Sequence, residues 1–552
     1  MNNRMMSKLL MIFVCISFFL PLKSQSKDFF EGGTLTGNLD IKAQYYLKDS
    51  VIGAPDVPEK VLSNGSAEIQ YRLKNFTTGM RYEYYLNPMI GTQAEYKGDG
   101  IANYYATYAN EQFEITLGNF YEQFGSGLIF RTYRDPALGL DNSLRGALIK
   151  YMPLDGLTLK ALMGKQRYYW EYKDNLVRGV DADFSLNDGL CFLKNSKLQV
   201  ALGASFISKH QEQSLHIVGT NKINFPENVA ATAGRASLRY DKFSLEGEYA
   251  YKINDPSALN GYLFRPGQAL LLTGTYSKKG LGIMLVGKRV DNMSFKSDNQ
   301  QQSTMLNLNY LPSTTRQHAY ALPAIYPCET QANGEMAFQA DVTYTIPRGS
   351  AMGGKYGAEV RVNYSRVNSI ERNWRPDAQE GTYGYDSPFL KVGKERYYQD
   401  FNVELTKKLN RSTKASMSYI NLWYNKSVLL VKPNEPNVKA NVLIGDLTYN
   451  IDNKKSVRME AQHLWTKQDE GNWAYLSAEY TIAPNWFFSV SDMYNYGVSN
   501  EHYYSFVGAY TMGASRIQLG YGRTRAGLDC SGGVCLYKPA TNGFNIAISS
   551  TF

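Results

Sequence analysis

The residues in this chain whose types and spacing could do chemistry are one close pair of cysteines, five histidines and one loop crowded with charge. Cys530-Ser-Gly-Gly-Val-Cys535 holds two glycines that let the chain fold back on itself. In an oxidising compartment this spacing suits a local disulfide between Cys530 and Cys535. It suits redox cycling or metal binding poorly, because no histidine lies nearby. Cys191 and Cys328 are expected to stay unpaired. His210, His216, His318, His463 and His502 fall in no metalloprotease helix motif, and no GxSxG or phosphate-binding loop is present. No enzyme, no cofactor and no metal site is therefore expected, and His318 reads as a packed or solvated side chain. Asp181-Ala-Asp183, with Asn187 to Gly189 after it, lacks the closing glutamate of a calcium loop and reads as a solvated turn.

The segment Asn119–Gly146 (NFYEQFGSGLIFRTYRDPALGLDNSLRG) is the densest candidate. Ordinary surface loops are more polar and less aromatic. Its composition suits a loop folded into a lumen, with Arg131, Arg134 and Arg145 set against Glu122, Asp135 and Asp141. Opposed charges of this kind constrict a pore and set its ion preference. The alternative is a structural plug or a surface cap with internal ion pairs. Gly125-Ser126-Gly127 lacks the helix and Lys-Ser/Thr of a phosphate loop.

The elements that must position these residues are strands. The chain has 552 residues, 43% apolar and 20% charged, with 43 Tyr and 47 Gly. Its mean hydropathy of -0.38 is too polar for a helical membrane protein, and its aromatic content excludes disorder. Runs of about ten residues alternate in polarity, longer than ordinary strands. In 242–252, Phe243, Leu245, Tyr249 and Tyr251 share one face, and Ser244, Glu246, Glu248 and Lys252 share the other. Aromatics recur near the ends of apolar faces, as at Trp465 and Trp486-Phe487, which suits interfacial girdles.

Tight turns near Asn110-Glu111, 154–156, 240–242, 277–280, 410–411, 452–453, 483–484 and 512–514 alternate with long connections. The long ones are 47–63, 120–144, 209–229, 254–267, 368–394, 425–439 and 525–541. That asymmetry is the pattern of an all-β transmembrane antiparallel β-barrel with short periplasmic turns. The walk from the N-terminus reads 302–311 as a strand, and agreement with the walk from the C-terminus requires 315–326 to be one more, which gives about 26, an even number; 24 is the next count.

The N-terminus supplies an address. Arg4 and Lys8 precede the uncharged run Leu9–Leu22, and small residues follow at Ser24 and Ser26. Residues 1–24 read as a secretory signal peptide, leaving 25–552 as a single barrel in the cell outer membrane, reached through the periplasm. Losing Arg4, Lys8 and Lys23 reduces a net charge that is only +9, with no basic block, so nucleic acid is not an expected partner.

Three stretches carry a resemblance: GNFYEQFGSGLIFRTYRDPALGLDNSLRGA (118–147), TRQHAYALPAIYP (315–327) and GGVCLYKPATNGFNIAISSTF (532–552). Through them the whole mature chain resembles a family of large outer-membrane barrels from the Bacteroidota, known mainly as a domain of unknown function. The resemblance implies fold and location and brings no activity or functional residues. The last strand, with Phe544, Ile546, Ile548 and Phe552 on one face, is similar to those read by the outer-membrane assembly machinery.

A barrel of this size would breach the permeability barrier if its lumen were empty. The expected function is a porin-like channel for polar or amphiphilic solutes constricted by 119–146, with Arg458/Glu460/Gln462 and Arg516/Gln518 on a polar lumen face. The second reading is a non-conducting scaffold in a larger outer-membrane complex. Outer-membrane protein partners would then dock on 368–394 or on 425–439 with its Val428 to Val431, and lipid surrounds the wall in either case.

Overall fold

The computed structural model describes residues 32–212, 216–218 and 221–552; the expected signal peptide lies outside the described residues. Twenty-four antiparallel strands among these residues form one sheet. The sheet closes on itself, because the first strand, Thr34–Tyr46, pairs with the last, Thr541–Thr551, from Asn38 opposite Thr551 to Tyr46 opposite Gly543. Phe552 completes this ladder, exchanging backbone hydrogen bonds of 2.9 and 3.0 Å with Gly37. No helix among the described residues is long and apolar enough to cross a membrane. A closed barrel crosses a bilayer with strands, whose amides and carbonyls pair with neighbours once the ring is shut.

Alternation sorts each strand into two faces. In Lys455–Thr466, Glu460, Gln462 and Leu464 are buried inside while Met459 and Trp465 are exposed outside. In Phe243–Lys252, Leu245, Tyr249 and Tyr251 lie outside and Glu248, Ala250 and Lys252 inside. Met459, Leu476, Leu519 and Phe544 are among the apolar side chains of this outer belt. Each would forgo roughly 1.5–3 kcal/mol if left in water rather than hydrocarbon. Short turns such as 74–75, 155–156, 241–242 and 279–280 gather at one end, called the lower end here, with two longer connections, 186–197 and 347–357, while most long connections gather at the upper end.

The strand count is 24 and not 26, and both missing strands fall in one place. Residues 302–311 and 315–326 lie in the connection between Leu281–Asp291 and Gly334–Ile346, which pair directly with one another. The connection turns inward and fills the lumen: Met293, Phe295, Met305, Leu306, Leu308 and Leu322 are buried there. It packs on the inward loop 121–143 through Phe295 and Leu308 and on the wall through Leu322, without joining the barrel ladder. Pro312, Pro323 and Pro327 remove three of the donors a ladder would need. Asp181 and Asp183 also depart from expectation, for they lie within the strand Glu171–Ser185, and Asp181 is buried in the lumen wall.

Candidate functional site

The first plug segment, 121–143, leaves the wall at a row of glycines. Gly118 pairs with Gly146 and Gly146 with Gly164 across three adjacent strands. A Cβ on Gly146 would sit 2.0 Å from the Met163 carbonyl oxygen, and Gly118 has φ +102°, so the close approach admits only glycine. From that base Phe124, Leu128, Ile129 and Phe130 enter the lumen with essentially no exposure. They pack with Met293, Phe295, Leu308 and Leu311 of the second segment and with wall residues Leu144, Leu148, Val177 and Ile207. An apolar core therefore lies inside the barrel, on the side of strands 144–291.

Charge ties the same segment to the wall. Asp141 accepts from Arg167 at 2.6 Å, from Arg81, and from the Tyr121 hydroxyl at 3.0 Å. Glu83 holds both guanidinium groups from the other side, at 2.8 Å from Arg81 and 2.9 Å from Arg167. Burial alone would raise the Asp141 carboxyl, but Arg167 and Arg81 outweigh it and hold it below its ordinary range. Glu122 pairs with Lys150 and Lys160, both at 3.1 Å; burial is again outweighed, here by the Gln123 N–H and the two ammonium groups, and its carboxyl is lowered.

Of the remaining residues of the expected constriction, only Arg134, opposite Asp141 in a two-residue ladder, joins this network. Arg131 stacks between Tyr133 and Tyr310, 4.6 and 4.1 Å from the ring centres. Arg134 reaches Glu83 at 3.5 Å, Asp135 accepts from the Ala137 and Leu138 amides, and Arg145 lies over Tyr172 at 3.8 Å. The six side chains do not face one another across an opening. Each is engaged by the plug's own turns or by the wall.

The second segment, 292–333, lacks a ladder, so its carbonyls need other donors. Wall lysines supply them: Lys209 donates to the Lys296 carbonyl at 2.7 Å, Lys252 to that of Ser294 and Lys288 to that of Pro312. Asp255 balances Lys209 at 2.8 Å, and Glu335 balances Lys288 at 2.6 Å. Lys296 turns back on its own segment and donates to the Ser303 and Met305 carbonyls at 2.6 and 2.9 Å. The two segments also bond directly, Arg131 N–H to the Leu308 carbonyl at 2.8 Å and Tyr310 N–H to that of Gly127 at 2.9 Å. These wall lysines escape sequence reasoning, since a lumen-facing lysine that meets water has the same pattern.

A third piece arrives from the upper rim. Gly527–Ser531 and Val534–Lys538 form a hairpin with Cys530 opposite Cys535, joined by a disulfide. Its tip meets the plug, where the Ser313 and Thr330 amides donate to the Gly532 and Gly533 carbonyls at 3.3 and 3.1 Å. Cys191, exposed at the lower end, and Cys328, inside the plug, are free. Closing so short a loop stabilises the hairpin by about 2 kcal/mol in the chain-entropy description. Replacing Cys530 with Ser is expected to speed amide hydrogen exchange at Ser313 and Thr330 while the barrel ladders stay protected, as mass-resolved exchange would register.

The part of the second segment nearest strands 358–482 is held differently. Arg316 pairs with Glu404 at 2.6 Å and donates to Asn402 at 2.8 Å; His318 meets Asp400 at 2.5 Å. Gln462 accepts from the Leu322 amide at 2.9 Å, and the Tyr326 hydroxyl donates to Asp469 at 3.1 Å. Of its own side chains only Leu322 and Tyr326 are buried in the adjoining cluster of Tyr398, Leu422, Tyr424 and Trp473. Leu429 of the 425–437 connection folds into that cluster with Val428 and Leu430, so of Val428 to Val431 only Val431 is exposed, while Trp374, Leu390 and Val392 of 368–394 are exposed.

Below this segment lies a polar cavity of about 530 Å³ lined by Arg316, His318, Arg361, Glu404, Arg458 and Glu460, among others. Lumen-facing Gln70, Arg72, Glu246 and Arg361 on the lower half of the wall are exposed. The lower lumen is thus a wet, charged vestibule, and the upper lumen is packed.

A closed antiparallel barrel with an apolar outer belt and a lumen stoppered by its own loops is a barrel of the outer-membrane class. Within that class, the chain belongs to the family of unknown function DUF6029, whose model matches residues 5–552. No curated protein matches the sequence. Among solved structures, it is similar to the P pilus usher (PapC) translocation pore, at 10% identity and a TM-score of 0.45 over 94% of this chain and 99% of the other. It is also similar to the siderophore receptor PirA from Pseudomonas aeruginosa (9%, 0.40, 94% and 80%) and to OccAB3 from Acinetobacter baumannii (9%, 0.34, 94% and 98%). Likenesses of this size describe a shared barrel shape and go no further.

Proposed function

We propose that this chain is a gated channel for polar or amphiphilic solutes in the bacterial outer membrane, shut in the conformation described. The observation that carries the reading is the exposed polar vestibule that ends beneath residues 316–321. A permanent scaffold has no need of a charged cavity there. The gate in this reading is 312–330, because polar contacts hold much of it and its apolar anchors, Leu322 and Tyr326 with the half-buried Tyr320, Ile325 and Cys328, sit at the edge of one cluster, whereas 121–143 is rooted in the apolar core. The charges of 119–146 then serve as the fixed floor of the stopper instead of a selectivity ring. Export by a signal peptide, insertion by the assembly machinery through the strand ending at Phe552, and a Bacteroidota origin belong to the same reading. No catalysis and no nucleic acid are part of it.

The apolar core between plug and wall favours the second reading, a non-conducting barrel that serves as the membrane subunit of a complex with other outer-membrane proteins. Conductance in planar bilayers separates the two. The wild type is expected to stay closed for long periods with infrequent small steps. A variant in which 315–329 is replaced by a short Gly-Ser linker is expected to conduct in large, sustained steps. A folded linker variant as silent as the wild type would overturn the channel reading in favour of the scaffold.

A further inference from the structure

Several basic side chains near the upper rim of the outer wall have an acid to themselves or share one. Arg265 and Arg289 share Asp291 at 2.9 and 3.2 Å, Arg375 takes Asp386 at 2.9 Å, and Lys391 reaches Glu371 at 3.6 Å. Arg366, Arg396 and Lys439 are clustered on adjacent strands, and among the described residues none of them forms an ion pair. The ladder sets Arg366, Gln399, Trp423 and Lys439 opposite one another on four consecutive strands, and Arg396 lies one step nearer the rim, opposite Asn368. Arg396 and Lys439 both stack on the Trp423 ring, 4.8 and 4.9 Å from its centre. The Nε of Arg396 is buried without a hydrogen-bond partner. Two cations on one indole repel each other, and an anion placed between them relieves that repulsion.

Below these cations the surface turns apolar, interrupted by one pair in which Asn421 donates to Asn441 at 2.8 Å. The next outward rows hold Tyr364, Phe401, Asn421 and Asn441, then Val362, Val403, Tyr419 and Leu443. Beneath them the wall sinks at Gly445, Ala461 and Ala478, between Met417, Leu447 and Met459, into a depression of about 770 Å³. An acyl chain descending from the cation row follows this surface into the depression.

We propose that this face of the barrel binds a phosphate-bearing lipid of the leaflet on the long-loop side. The guanidinium forks of Arg366 and Arg396 take phosphate oxygens, Lys439 adds a point charge beside Trp423, and the chains lie along Val362, Val403, Tyr419 and Leu443. The assignment rests on the membrane reading of the barrel and is independent of whether the lumen conducts.

The test uses the full barrel in nanodiscs of phosphatidylcholine doped with phosphatidylglycerol or with bis-phosphorylated lipid A. Native mass spectrometry then reports which lipids stay bound when the disc is stripped away. The wild type is expected to retain either anionic lipid over phosphatidylcholine. The triple variant Arg366→Gln, Arg396→Gln, Lys439→Gln is expected to lose that preference by on the order of a hundredfold. A control variant at the lower end, Lys278→Gln with Lys279→Gln, is expected to keep it. Equal retention of neutral and anionic lipid by the wild type, or undiminished retention by the triple variant, overturns the site. Displacement of the lipid by millimolar inorganic phosphate also overturns it, since the chains would then contribute nothing. A wild type that enters no nanodisc of any composition overturns the membrane reading as well, and is told apart by its indifference to lipid charge.

Discussion

Replacing Arg167 with Met is expected to lower the stability of the folded barrel by about 3–5 kcal/mol, the cost of leaving buried charge uncompensated. Arg167 donates to Asp141 of the plug, to Glu83 of the wall and, through Nε at 2.7 Å, to the Tyr169 carbonyl. Without it, two carboxylates must share Arg81, helped by a distant Arg134 at 3.5 Å from Glu83. The loss would be read as a shifted urea midpoint for the barrel in detergent, followed by tryptophan fluorescence. Adding Asp141→Asn removes one of the stranded charges, so the double variant should lie well above the sum of the single losses, with a coupling of roughly 1–3 kcal/mol. A loss below about 1 kcal/mol for Arg167→Met would mean that water reaches this junction and that the plug is not sealed there.

The second large effect is a dependence of gate docking on pH. Glu329 lies on the gate segment with no ion pair among the described residues, and burial pushes its carboxyl up to about 7 from an ordinary 4.5. The docked state therefore binds more protons than the undocked state between those values, and docking weakens as pH rises. Glu329's contribution is complete below about 4.5 and gone above about 7. Its full size is about 3 kcal/mol at most. Amide exchange across 316–330, corrected for its intrinsic pH dependence, is expected to show more frequent opening at pH 8 than at pH 5. Glu329→Gln should flatten that difference. A wild type whose opening is the same at both pH values would show that this carboxyl meets water in the docked state.

Strand identity was legible wherever one side of a segment met lipid. In 242–252 and 454–466 the lipid-facing residues had to be apolar, and the turns between strands marked their ends. The same rule misread 302–311 and 315–326. An extended segment packed inside a lumen also alternates, and nothing in its own residues says whether a ladder partner is present. The stopper was legible as composition, since Phe124, Leu128, Ile129 and Phe130 are too apolar for a surface loop. Its partners were not. Arg81 and Glu83, Arg167, Lys209, Lys252 and Lys288 occupy alternate positions on ordinary strands, and only the fold brings them to the plug. The one trace in the sequence is that long-armed cations recur at the upper, inward positions of strands 76–87, 157–168, 198–210, 243–252 and 281–291, where a merely wet lumen would be content with serine, threonine or asparagine.

The closing ladder between Thr34–Tyr46 and Thr541–Thr551 fixes an order of assembly. Neighbouring hairpins form from residues close in the chain, whereas this one pairing joins its two ends and must overcome the largest loss of chain freedom. Both stopper segments hang from hairpins well before the final strand, so they can settle on the curved inner face while the sheet is still an open trough. A nascent barrel of this kind would carry its own mould, and the last strand would wrap a lumen that has already been shaped.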